Sequence, residues 1–190
     1  MEAFLTSTAA VAVAEIGDKT QLLALFLAAR FATEKKSILL GILVATLINH
    51  AFSAWAGDWL SQYMTGALSQ WIISLSFIGL GVWLLVPDKD ESEDTSALKY
   101  GAFLATTLLF FLAEIGDKTQ LATVLLGAQF QSVVAVTLGT TLGMLLANAP
   151  VVLAGGWILQ RLPMQLIRRL ASAGFILTGI WWLLRSGVLF

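Results

Sequence analysis

Six runs of predominantly apolar residues, 4–30, 38–59, 71–86, 100–128, 133–159 and 166–184, take up nearly all of this 190-residue chain. A helix that spans a bilayer needs roughly 17–25 such residues. Six spans fit and leave no room for a soluble domain. The expected fold class is therefore an all-α integral membrane protein with six transmembrane helices, a single membrane domain over 1–190. The charge content agrees. Only 12% of the residues are charged, against about 25% in a typical soluble protein. The amino-terminal MEAFLTSTAAVAVAE has no basic segment ahead of its apolar run, so it reads as the start of helix one and not as a cleaved signal peptide. With no cysteine, disulfides and thiolate metal sites are excluded. No basic face points to a nucleic acid.

The basic residues set an orientation. Arg30, Lys35 and Lys36 lie around the first loop, Lys89 and Lys99 in the third, and Arg161, Arg168 and Arg169 around the fifth. Only Arg185 falls on the opposite side. The positive-inside rule then places loops one, three and five in the cytoplasm and both termini outside. The chain is expected to cross its membrane several times, with the linker between the halves on the cytoplasmic side.

The chain is also written twice. The string AEIGDKTQL stands at 14–22 and again, letter for letter, at 113–121. The same 99-residue offset from Glu15 to Glu114 pairs Asn49 with Asn148 and Gly57 with Gly156. Farther on, FIGLGVWLL from Phe77 matches FILTGIWWL from Phe175 with one residue fewer between them. The division expected is repeat one at 1–86, a linker at 87–99 and repeat two at 100–190, with three helices per repeat. An odd number of helices sends the second copy into the membrane from the opposite side, the inverted-repeat plan of many secondary transporters. The linker PDKDESEDTSALK reads as a solvated, acidic, cytoplasmic segment. It is not an EF-hand, because Glu93 stands where the turn needs Gly and Lys99 where a bidentate Glu belongs.

Each motif copy puts Glu, Asp and Lys near the middle of an apolar run. An ionised residue there costs at least about 2.5–3.5 kcal/mol, so these groups must face the protein interior or a wet cavity. On one continuous helix over 4–30, Glu15 and Asp18 share a face and Lys19 can pair with Glu15. Gly17 between the acids permits close helix approach or a local break. Repeat two presents Glu114, Asp117 and Lys118 in the same way, with Gly116 between. If the halves meet about a pseudo-two-fold axis, four carboxylates converge. Gln21, Gln120, Asn49 and Asn148 add neutral oxygens, and Pro150 is expected to kink its helix. Four carboxylates and two lysines leave a charge of −2, which matches one divalent cation. An oxygen-only set suits Mg²⁺, Ca²⁺ and Mn²⁺. Simple stapling of helices by Glu–Lys pairs is the structural alternative. Buried pairs are weak stabilisers, and two copies with an excess of acid exceed what stapling needs.

His50, the one histidine, follows Asn49, and its repeat counterpart is Ala149. It reads as a hydrogen-bonded interior residue, a single nitrogen ligand or a proton carrier. Neighbours on a helix diverge by about 100°, so Asn49 and His50 are not expected to face the site together. GTTLG at 139–143 has the spacing that lets helices approach closely. Trp55, Trp59, Trp71, Trp83 and Trp157 lie near expected helix ends, as interfacial aromatics do.

Two E-x-G-D-K-T motifs, each in the first helix of a three-helix repeat, resemble uncharacterised protein family 0016. That family includes the Golgi manganese/calcium transporters of eukaryotes and bacterial manganese exporters. The resemblance spans nearly the whole chain, and the short length looks like the bacterial branch. It implies a membrane transporter and not an enzyme. Its substrates would be a divalent cation, Mn²⁺ with Ca²⁺ as the alternative, and protons, with no cofactor. It assigns the motif to Glu15, Gly17, Asp18, Lys19 and Thr20, and to Glu114, Gly116, Asp117, Lys118 and Thr119. Beside it stand a Ca²⁺/H⁺ exchanger on the same scaffold and a non-transporting membrane scaffold. An intramembrane enzyme would lack a nucleophile pair.

Overall fold

The computed structural model describes residues 1–63, 66–86, 95–155 and 164–185. Every regular element among them is helical: α1 (Glu2–Glu15), α2 (Lys19–Arg30), α3 (Lys35–Tyr63), α4 (Gly66–Leu84), a 3₁₀ turn (Thr95–Tyr100), α5 (Gly101–Glu114), α6 (Lys118–Phe130), α7 (Val133–Ala154) and α8 (Met164–Arg185). Pro150 lies inside α7. Most of the acidic linker, 87–94, lies outside the described residues, as do Gly156 and Trp157.

The expectation of one continuous helix over 4–30, and of another over 100–128, is corrected here. Each motif copy interrupts its helix. Glu15 ends α1, Ile16 is extended, Gly17 has φ +86°, and Asp18 caps α2 by accepting a hydrogen bond from the Lys19 amide at 2.8 Å. The second copy repeats this: Glu114 ends α5, Gly116 has φ +77°, and Asp117 accepts from the Lys118 amide at 2.7 Å. Glycine takes a positive φ without a Cβ clash, and Asp competes with the helical backbone for its own amides. A helix-breaking pair therefore sits inside an apolar run that otherwise favours continuous helix. Glu15 and Asp18 no longer share a helix face.

Four described segments are long and apolar enough to cross a membrane: Lys35–Tyr63, Ser96–Glu114, Val133–Ala154 and Gln165–Arg185. Gln70–Leu84 is a shorter apolar helix. At 14, 12 and 13 residues, α1, α2 and α6 are each too short alone.

Central α3 packs on α5, α6 and α7, while α7 packs on α1 and α2 as well. Gly139 and Gly143 seat α7 against α1. A Cβ on Gly139 would stand 2.5 Å from the Phe4 carbonyl, and one on Gly143 2.6 Å from that of Thr8. Outside this unit, α4 and α8 pair with each other and rest on α6 and α1 respectively. The apolar interior falls into two parts. One gathers Leu27, Ile42, Ala45, Phe110, Met144 and Val151, and the other Ala54, Phe77, Leu126, Val136 and Phe175. Along α3, Ala45 belongs to the first and Ala54 to the second. Asn49, His50 and Ser53, all buried, lie between them.

Candidate functional site

Glu15 and Glu114, the last residues of α1 and α5, are both wholly buried, and Asp117 is 4% exposed. Each offers a carboxylate oxygen, and the three oxygens lie within 4.8 Å of one another. Two oxygens bound to one divalent ion at about 2.1–2.6 Å can be at most about 4–5 Å apart, so the spacing fits a shared ion. Thr20 Oγ1 donates to Glu15 Oε2 at 2.5 Å, and Thr119 Oγ1 donates to Glu114 Oε2 at 3.1 Å. Glu15 Oε1 and Glu114 Oε1 are buried without a hydrogen-bond partner. Buried carboxylate oxygens are normally satisfied. Leaving them bare is costly, and a cation or a proton is what such a cluster takes up.

The same nine residues build the same local frame twice. Gln21 Oε1 accepts from the Gly17 amide at 2.9 Å and Gln120 Oε1 from the Gly116 amide at 2.7 Å. Gln21 Nε2 also donates to the Ala147 carbonyl at 2.8 Å, tying the first break to α7. The glutamine side chains thus hold the breaks in shape. Asn49 Nδ2 donates to the Phe111 carbonyl at 3.0 Å. Asn148 Nδ2 donates to the Met144 carbonyl at 3.1 Å, and its buried Oδ1 has no hydrogen-bond partner. His50 Nε2 stands 3.9 Å from Glu114 Oε2. Asn49 and His50 therefore both face α5, one turn apart along it.

The copies differ in where their charges go. Asp18 caps its helix as Asp117 does, but it lies outside the 4.8 Å cluster. It lines a narrow crevice with Gly17, Leu84, Lys118 and Arg168. The expected Lys19–Glu15 pair gives way to an approach across the repeats, with Lys19 Nζ 4.0 Å from Asp117 Oδ2. Lys118 turns away. Its Nζ donates to the Val86 carbonyl at 2.8 Å and lies 5.9 Å from the centre of the Trp83 ring. Arg168, expected around the fifth loop at the start of the sixth apolar run, lines that crevice together with Asp18. Only the packing of α8 on α1 and α4 brings it there. Beside Asp117 a cavity of about 360 Å³ is lined also by Phe52, Ser53, Trp83 and Gln120.

A family model described as "Divalent cation/proton antiporter GDT1" matches residues 3–92 and 102–188. A Vibrio cholerae serotype O1 protein described as "Putative manganese exporter" is 44% identical over 181 residues, covering 95% of this chain and 90% of that protein. "GDT1-like protein 4" of rice, from subspecies indica and japonica alike, is 25% identical over 203 residues, covering 92% of this chain and 70% of the rice protein. No solved structure matches the chain.

Proposed function

Because this chain belongs to the GDT1 family of divalent cation/proton antiporters, which are membrane transporters and not enzymes, we propose that it exports Mn²⁺ from the cytoplasm in exchange for protons. The observation that carries the proposal is the convergence of Glu15, Glu114 and Asp117, buried, from two identical helix breaks. Those three carboxylates with Lys19 leave a charge of −2, so one divalent cation neutralises the site. Protons can do the same in its place, and the two compete for the same oxygens. That competition is the least an exchanger requires.

In this reading α1 with α2 forms one broken span and α5 with α6 another, giving six spans in two inverted repeats. Broken helices at mid-membrane put the free carbonyl ends of α1 and α5 beside the cation, as in other inverted-repeat transporters. Asp18 serves as the counterpart of Asp117 when the two repeats exchange conformations, which opens the site to one side at a time. The position of the α4–α8 pair on α1 and α6 supports this, because those are the half-helices expected on the outer side. With loops one, three and five in the cytoplasm, export means release beyond α1 and α6.

Work must come from an ion gradient. Moving one charge across 100 mV costs about 2.3 kcal/mol and a divalent cation about twice that. The test is flux of Mn²⁺, Ca²⁺, Mg²⁺ and Zn²⁺ through the purified protein in liposomes, with and without an opposing pH gradient. Mn²⁺ should move, and faster when protons run the other way. Ca²⁺ as the better substrate would favour the Ca²⁺/H⁺ alternative. No flux of any cation would leave a membrane scaffold.

A further inference from the structure

We infer that His50 supplies one nitrogen donor to the cation site, and that this donor makes the site prefer Mn²⁺ and other transition-metal dications over Ca²⁺ and Mg²⁺. The inference rests on the cation site proposed above and adds what it selects.

His50 is wholly buried, and neither ring nitrogen has a hydrogen-bond partner. A neutral imidazole carries one N–H donor and one bare acceptor. Leaving either unsatisfied in the interior is costly. A histidine kept only for packing would bond a nearby carbonyl, as Asn49 bonds that of Phe111 one residue away. The ring instead points Nε2 at Glu114 Oε2 from 3.9 Å. That gap is too long for a direct hydrogen bond. It is a suitable separation for two ligands of one ion, each about 2.0–2.6 Å from it.

The position is also asymmetric. Its counterpart in repeat two is Ala149, which is only partly buried. The scaffold thus builds one of its two halves without an imidazole here. His50 lies outside the group of three carboxylates whose oxygens come within 4.8 Å of one another and reaches it through Glu114, so a bound ion would draw this single nitrogen in beside them. Carboxylates alone suit Mg²⁺, Ca²⁺ and Mn²⁺ alike, whereas imidazole binds transition metals and adds little for Ca²⁺, which takes oxygen ligands. One nitrogen in an oxygen cage is therefore a discriminating element.

Two readouts on the purified protein test this, neither of which requires transport. Electron spin-echo spectroscopy of bound Mn²⁺ should show ¹⁴N coupling in the wild type and none in His50→Gln. Competition binding should show Mn²⁺ preferred over Ca²⁺ in the wild type. In His50→Gln that ratio should fall about tenfold or more, the scale on which altering a metal site's surroundings acts, mainly through weaker Mn²⁺ binding. Bound Mn²⁺ without nitrogen coupling in the wild type would overturn the inference even if the variant failed to fold. A folded His50→Gln with an unchanged ratio, or a wild type that binds no Mn²⁺, would overturn it too. Nitrogen-coupled Mn²⁺ in a protein that shows no flux would leave the inference standing and remove the transport reading.

Discussion

Glu114→Gln is expected to lower Mn²⁺ flux in proteoliposomes to background, and Glu15→Gln to do the same. Both substitutions keep the volume and one oxygen of the side chain and remove its charge. In the proposed site, three carboxylates with Lys19 near Asp117 would balance one divalent cation. Remove one carboxylate and the bound cation is left with uncompensated positive charge in a buried place. Breaking a buried charge arrangement costs about 3–5 kcal/mol, which is about 10² to 10³ or more in affinity. Asp117→Asn should act as strongly, and because an amide still accepts from the Lys118 amide it should leave the cap of α6 in place. Size-exclusion profiles of the detergent-solubilised variants would show that they fold. Wild-type flux in the two glutamate variants would remove the site from the account.

The second large effect falls on packing. Gly57→Val or Gly127→Val should prevent stable folding. At the crossing of α3 and α6, a Cβ on Gly57 would run into the Val124 carbonyl and stand 2.9 Å from the Ala128 amide, while one on Gly127 would run into the Ala54 carbonyl. These obstacles are backbone, so no rotamer change relieves them. Overpacking in a close-packed interior costs about 1–3 kcal/mol even where side chains can shift, and here the helices themselves must part. Gly79→Ala on α4 is the matched control. Its Cβ would meet nothing within 4 Å, and Ala in a helix interior is favoured over Gly by about 0.5–1 kcal/mol. Thermal melts in detergent should show no folded wild-type-like transition for the valine variants and an unchanged or raised midpoint for Gly79→Ala. The crossing bears on the site, since Asp117 caps α6 and α3 carries Asn49 and His50.

Much of this was legible in the chain before any coordinates. Apolar runs of membrane-spanning length, the duplicated nonapeptide and the excess of acid within it pointed to a cation transporter; of the four carboxylates expected to converge, Glu15, Glu114 and Asp117 lie together and Asp18 lies apart. The helix breaks were less so. Glu15 and Asp18 have the spacing of one helix face, and in an apolar run nothing in that spacing distinguishes a face from an interruption. Only the positive φ at Gly17 and Gly116 decides it. The fate of the lysines was not legible at all. Identical sequence surrounds Lys19 and Lys118, yet Lys19 comes within 4.0 Å of Asp117, whereas Lys118, in the crevice that Asp18 lines, donates to the Val86 carbonyl just beyond α4. Tertiary contacts outside the motif separate them. Likewise Gln21 and Gln120 look like ligands by type, but the amides of Gly17 and Gly116 use their oxygens. A break creates bare amides, and a glutamine four residues on reaches back to satisfy them.

The central claim is that protons and Mn²⁺ occupy the same three carboxylates in turn. Titrating Mn²⁺ into the weakly buffered, detergent-solubilised protein tests it most directly, with the pH followed as metal binds. The account predicts that protons are released in step with Mn²⁺ binding, and that Glu114→Gln and Glu15→Gln lose both the binding and the release. Saturating Mn²⁺ binding with no proton release at any pH from mildly acid to mildly alkaline would contradict it.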